Sequence, residues 1–366
     1  MSEGYCLHTS LPYACRNAKS MLLRLGILFF TLHLTGTVQA QIDSVVLTPV
    51  VIYGIPEEKY LAGSKIERLD SALGNIYSSN HLGEILSFQF PVYFRNYGNG
   101  MLSGISMRGT SPQHTAVLWN GININSFSLG QADFSILPAV AFDEVKVYIG
   151  GGSSHFGSGA FGGAVLLQTG SDENPLISIK QEVGSFGRYF SSIKTSLHKG
   201  AFTFSTSLYH LRSKNNFIIH KTGERQQHAE FLQQGFVQSI RYNFSSTRLL
   251  QLDYWVHSAD REIQPTTGNP SGEDEQQDRS QRLSISYKQN NRFGLLKTGG
   301  GVVNDEIVFN GNPSNVLRWI AFANHQYSFS NRWNIQTSID WNHIIGKIKE
   351  YGQEPKEDRV DIGATL

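Results

Sequence analysis

Cysteine is nearly missing. Cys6 and Cys15 are the only two among 366 residues, and both lie ahead of the cleavage point argued below. The rest of the chain has no thiol for a disulfide framework or a cysteine-based zinc site. No apolar run reaches the ~20 residues that a membrane-spanning helix needs. Neither sign of charge dominates: 31 Lys plus Arg stand against 30 Asp plus Glu, a formal +1. That balance supplies no clustered basic face for nucleic acid. The 12 His contain no H-E-x-x-H pair, and G-x-S-x-G is absent. No catalytic residue is nominated, and no enzyme is expected.

Glycine and phenylalanine are plentiful, at 36 and 22, which suits turn-rich β structure. The chain opens on an address. Arg16, Lys19 and Arg24 precede the apolar run 25–34, and Thr37-Val38-Gln39-Ala40 ends in small-residue cleavage chemistry before Gln41. This is the secretory pattern of charged, apolar and cleavable segments. Met21–Ala40 is a complete signal by itself. Residues 1–40 are therefore expected to be a signal peptide. Their removal takes away +2 and leaves the mature chain near −1.

Residues 41–66 form an extended apolar segment and linker. Asp43, Ser44, Val45, Val46 and Leu47 begin a β-branched stretch that runs to Ile52, with Pro49 arguing against a central strand. Two readings stay open: an ordinary N-terminal strand, or a segment captured by a partner's sheet edge. Residues 67–172 read as a small α+β domain. A short helix is expected at 81–86, with β segments at 105–108, 115–119, 144–149 and 163–169. The loops Tyr97–Met101 and Asn123–Gln131 are rich in Gly, Asn and Ser. Gly157-Ser158-Gly159-Ala160-Phe161-Gly162 matches G-x-G-x-x-G, but a strand-like stretch follows where a dinucleotide site needs a helix. Its glycines are read as turn residues.

From 176 to 366 the pattern is a ladder. Phe202, Phe204, Thr206 and Leu208 alternate with small polar residues, and Trp333, Ile335, Thr337, Ile339 and Trp341 with Asn, Gln, Ser and Asp. Period two with one apolar and one polar face means strands between two environments. Trp333 and Trp341 are eight residues apart on one face, ~27 Å at strand rise, which matches the ~25 Å apolar band and aromatic girdles of an outer-membrane barrel. Short turns are expected near 199–200, 245–247, 290–292 and 330–332. Long connections are expected at 213–232, 259–278 and 304–315, with an intermediate one at 184–189. About nine strands and the start of a tenth result. That is too few to wrap the preceding domain, so the ladder is expected to be the N-terminal part of a larger, truncated barrel.

Several ordered motifs resemble the TonB-dependent receptor family. Leu82-Gly83-Glu84-Ile85-Leu86 with Pro91-Val92 resembles its helix and "PGV" element, Ile105–Gly109 its "IRG", Val117–Gly121 its "VLIDG", and Phe156–Gly163 its "YGSGAIGG". The resemblance implies a mainly β fold: an α+β plug domain followed by a large antiparallel transmembrane β-barrel in the cell outer membrane. It makes Asp43–Leu47 the expected TonB-binding box, with TonB as partner and outer-membrane lipid as surroundings. The pattern is most similar to the cobalamin-receptor branch. By that likeness the expected substrate residues are Tyr97, Asn99, Met101, Leu102, Ser103, Asn125, Phe127 and Ser128, which suit a bulky, amide-rich ligand. Ordinary loop composition gives the same residue types. Ferric siderophore uptake and a non-transporting surface-binding barrel remain alternatives. Glu273, Asp274, Glu275 and Asp278 are expected to share one long loop. They lack ordered ligand spacing, so a solvated acidic loop is preferred to a calcium site, and no metal or cofactor is assigned. Asn120 stands where the family often has Asp, and Lys146 and Ile149 where Glu and Arg are common.

Overall fold

The computed structural model describes residues 65–365, apart from 99, 158, 171–175, 221, 266–271, 331–332 and 349–353. The expected signal peptide and the expected TonB box, Asp43, Ser44, Val45, Val46 and Leu47, lie outside the described residues, as does Asn99.

The first part is a five-stranded sheet of order β1-β6-β7-β4-β5, built from β1 (Lys65–Arg68), β4 (Thr115–Trp119), β5 (Ile122–Asn123), β6 (Glu144–Ile149) and β7 (Gly163–Gln168). Only β4 and β7 run parallel. A hairpin of β2 (Tyr93–Asn96) and β3 (Ser103–Ser106) stands apart from that sheet. Three α-helices lie among the described residues of the domain: α1 (Ser71–Ile76), α2 (Leu82–Gln89) and the single turn α3 (Ser153–Phe156). Asp70 starts α1 because its Oδ1 accepts from the amides of Ala72 (2.8 Å) and Leu73 (3.1 Å), two donors a helix cannot satisfy internally. The core is apolar: Leu82, Leu86, Ile105, Val117, Trp119, Phe134, Val147 and Leu167 are buried. The G-x-G-x-x-G stretch runs into β7, as its strand context implied. At Gly163 (φ +154°) a Cβ would collide with the Tyr148 carbonyl, so this residue serves close strand pairing.

The second part is a ten-stranded antiparallel meander: β8 (Ile177–Val183), β9 (Tyr189–Lys199), β10 (Phe202–Ser213), β11 (Phe231–Ser245), β12 (Arg248–Ile263), β13 (Asp274–Asn291), β14 (Gly294–Phe309), β15 (Asn312–Ser328), β16 (Asn334–Ile348) and β17 (Lys356–Thr365). Each strand pairs with the next. No described helix is long and apolar enough to cross a membrane. Leu252, Leu283, Ile285, Ile339 and Ile362 point outward and are exposed, while Ser205, Ser207, Asp253, Ser280 and Ser284 point inward and are buried. Apolar outside and polar inside is the inversion a bilayer demands. At the short-turn end the outward face carries an aromatic band: Phe202 lies 4.6 Å from Tyr242, Tyr242 4.7 Å from Phe244, and Tyr327 4.8 Å from Phe329. Trp319 and Trp341 are also outward-facing but lie near the middle of their strands, so the spacing of Trp333 and Trp341 does not place a Trp at each end of β16.

Two expectations are corrected. The connection expected at 304–315 is strand on both sides of a two-residue Asn310-Gly311 turn, with φ of 48° and 77°. Asn-Gly is a hairpin signal; the polar run Asn304-Asp305-Glu306 obscured it, because Asp305 is an inward-facing strand residue held by Arg282 and Arg318. Likewise Asp274, Glu275 and Asp278 do not share a loop but begin β13. Asp278 is buried against Arg261 at 2.8 Å, so its charge is neutralised by a side chain and not solvated.

Candidate functional site

The first domain sits against the inner face of the wall. One continuous apolar cluster joins Trp119, Phe134 and Phe142 to Phe190, Leu211, Phe231, Val237 and Trp255. The Trp255 ring lies 5.6 Å from Trp119 and 5.3 Å from Phe142. Its indole N–H donates to the Tyr209 hydroxyl at 3.1 Å. The Arg282 guanidinium covers one face at 4.3 Å. Polar ties cross the same boundary. The Asn120 amide donates to Thr169 Oγ1 at 2.6 Å, and that hydroxyl donates to Asp253 Oδ1 on the wall at 3.3 Å. Arg318 donates to the Asn123 carbonyl at 3.0 Å, and Gln233 to the Ile136 carbonyl at 2.7 Å.

Two loops share the face nearest the longer wall connections. The β2–β3 loop closes with Tyr97 N–H to the Leu102 carbonyl (3.2 Å) and Met101 N–H to the Gly98 carbonyl (3.1 Å). Gly98 and Gly100 take positive φ there, and Gly100 lies against the Phe231 ring. The second loop closes with Ser126 N–H to the Gln131 carbonyl and Gly130 N–H to the Ser126 carbonyl. Tyr97 and Phe127 are about half exposed, at 52% and 45%. The Arg95 guanidinium lies 5.4 Å from the Tyr97 ring centre. Met101 and Leu102 are partly buried. Ser128 is exposed, and its hydroxyl lies 3.3 Å from that of Ser314 on the wall. Two expected substrate residues have other work. Ser103 is buried and its amide donates to Asp133 at 3.0 Å. The Asn125 side chain accepts from Val117 N–H and donates to the Thr115 carbonyl, pinning its own hairpin. Below Phe127 a cavity of about 1030 Å³ runs between domain and wall, lined by Asn123, Ser126, Ser286, Asn324, Gln326 and Arg318 among others.

His81, at the N-cap of α2, was not singled out by its sequence context. It packs edge-on against Phe231 at 5.3 Å. Burial foremost, then the nearby Arg188 cation, lowers its pKa to about 4. Among the described residues no group of three or more His, Cys, Asp or Glu could hold a metal ion.

Residues 71–164 match the TonB-dependent Receptor Plug Domain. The Vitamin B12 transporter BtuB of Vibrio vulnificus is 40% identical over 72 residues, 20% of this chain and 12% of that protein. The Vitamin B12 transporter BtuB of Photobacterium profundum is 21% identical over 272 residues, 73% of this chain and 45% of that protein. Among solved structures, the FrpB iron transporter from Neisseria meningitidis matches at a TM-score of 0.65 and 15% identity, covering 78% of this chain and 48% of its own. The siderophore receptor PiuA from Acinetobacter baumannii matches at 0.60 and 11%, covering 82% and 53%. These structural likenesses speak for the fold alone. The chain spans about half the length of the relatives it matches over most of its sequence.

Proposed function

We propose that this chain, a TonB-dependent outer-membrane receptor in its plug domain and its strand ladder, takes part in energy-coupled uptake of a large scarce nutrient, and that the nutrient is cobalamin or a related corrinoid. The observation that carries the substrate reading is the outward plug face. Phe127 offers a half-exposed ring within a neutral, hydrogen-bonding surround of Ser126, Ser128 and backbone amides, and Tyr97 offers a second half-exposed ring beside the Arg95 guanidinium. A bulky, amide-rich ligand is recognised by apolar contact plus a few placed neutral donors and acceptors. The likeness to Vitamin B12 transporters supports the same reading. Tyr97, Asn99, Met101, Leu102, Phe127 and Ser128 are the proposed contacts; Ser103 and Asn125 would act by holding their loops.

Asp43–Leu47 is the proposed TonB-binding segment, a role that rests on its resemblance and on its extended, pairable chemistry. The location is the outer membrane, after export on residues 1–40. A second reading, ferric siderophore uptake, draws on Arg95 beside Tyr97, a cation suited to an anionic chelate.

The substrate test is equilibrium binding of cyanocobalamin to the receptor purified from outer membranes, with a ferric siderophore as competitor. The cobalamin reading expects tight binding that the siderophore does not displace. Siderophore binding without cobalamin binding would replace it with the second reading. For the coupling, deletion of 43–52 should leave binding intact and abolish uptake; retained uptake would remove TonB from the account.

A further inference from the structure

We infer that Arg261 is a positioning residue that fastens both outward plug loops to the barrel wall at one point. The inference rests on the receptor reading only in calling these the ligand loops; the fastening itself is a property of the fold.

Arg261 stands on β12, two residues before the strand ends, and is 4% exposed. Its guanidinium reaches in three directions. Nη1 donates to Asp133 Oδ2 at 2.7 Å, to Ser135 Oγ at 3.1 Å and to the Gly100 carbonyl at 3.2 Å. Nη2 and Nε meet Asp278 Oδ2 on β13 at 2.8 and 3.0 Å. Gly100 belongs to the first ligand loop, and Asp133 ends the second. Asp133 then extends the grip: its Oδ1 accepts from the Ser103 amide (3.0 Å), the Ser135 amide (2.9 Å) and the Ser135 hydroxyl (2.7 Å). Asp278 is steadied from behind by Gln276, whose side-chain amide donates to Oδ1 at 3.0 Å.

The chemistry suits positioning better than bulk stability. A buried ion triad costs much of what it gains, and well-packed apolar residues often fill such a seat at no loss of stability. What the planar guanidinium adds is fixed directions for several acceptors at once. Those acceptors lie on the two plug loops and on β13, the strand paired with Arg261's own β12. A shift of either loop must therefore break a contact to the wall or carry Arg261 with it. Lysine could not reproduce this, because one ammonium lacks the forked geometry.

The test is ligand-free, so it fails or succeeds independently of the substrate reading. Backbone hydrogen exchange is followed in detergent for the native receptor, for R261M, and for the neutral triple variant R261M/D133N/D278N. The melting temperature is followed in parallel. R261M leaves two uncompensated carboxylates and should lower the melting temperature; the triple variant removes those charges and should restore it. Positioning predicts that the amides of Met101, Ser103 and Ser135 exchange roughly tenfold or more faster in both variants, with β4 and β7 of the plug core unchanged. Recovery of both melting temperature and loop protection in the triple variant would reduce Arg261 to charge compensation and overturn the inference. So would unchanged loop exchange in R261M. If R261M does not fold, the triple variant alone still decides.

Discussion

The plug and the wall use the same residues in opposite ways. In the plug sheet, Val117, Trp119, Val147 and Leu167 point inward and are buried, the ordinary arrangement in water. In the wall, Leu283 and Ile285 point outward while Ser280, Arg282 and Ser284 point in. The sign of the pattern depends on what lies on each side. Water outside and protein inside gives an apolar core; lipid outside and a polar domain inside gives the inverse. The two meet where the inversion is suspended: Trp255, Phe231 and Phe190 are apolar inward-facing wall residues, and all three join the cluster against the plug.

Several substitutions break or sharpen this contrast. The largest effect belongs to Trp119→Ala. It empties a fully buried site between plug core and wall, at a cost of about 3–5 kcal/mol, and chemical denaturation should show the plug lost before the barrel. Next is the pair Ile285→Lys and Ser286→Lys. The outward lysine should cost about 2–4 kcal/mol near mid-bilayer, while the inward one, which faces the cavity, should cost well under half as much. Folding into bilayers of each variant measures the difference, and equal costs would erase the lipid-facing assignment.

A smaller effect follows from His81. Its folded pKa of about 4 lies below the unfolded 6.5, so the folded state resists the proton that the unfolded chain accepts. Stability is then unaffected above about pH 6.5 and falls as pH drops from there toward 4, by up to roughly 2–3 kcal/mol. His81→Gln should flatten that part of a melting-temperature profile; an unchanged slope would put the acid sensitivity elsewhere. Smallest is Asn120→Asp. Asn120 adopts φ of 49° and touches Asp253 through Thr169, so the acid common in the family would set a second carboxylate beside a buried one. A loss of about 1–2 kcal/mol is expected, and Asp253→Asn should recover it in a double-mutant cycle.

Much of this was legible in the sequence. Alternation along 333–342 announces a two-faced strand without any partner in view, and the wall is built from such strands. β4 and β6 carry enough β-branched residues to be placed to the residue. The Asn310-Gly311 hairpin was hidden because Asp305 reads as a loop residue until Arg282 and Arg318 are seen beside it. The candidate site was legible only as a pair of outward loops. Tyr97 and Phe127 do present their rings outward, but nothing local told that Ser103 and Asn125 are spent on holding the backbone. Arg261 carried no signal at all, since its plug partner Asp133 lies 128 positions away. Contacts between plug and wall are set by the docking of two patterns, and neither pattern names its counterpart.

The central claim is that β8–β17 form a lipid-facing wall around a polar, plug-facing side. Site-directed spin labels at consecutive positions 335–344 of β16, in receptor reconstituted into bilayers, test it directly. Collision with oxygen dissolved in lipid should peak at 335, 337, 339, 341 and 343 and fall at 336, 338, 340, 342 and 344, which face away from lipid. Uniform access to a water-soluble nickel chelate along both faces, without period two, would contradict it.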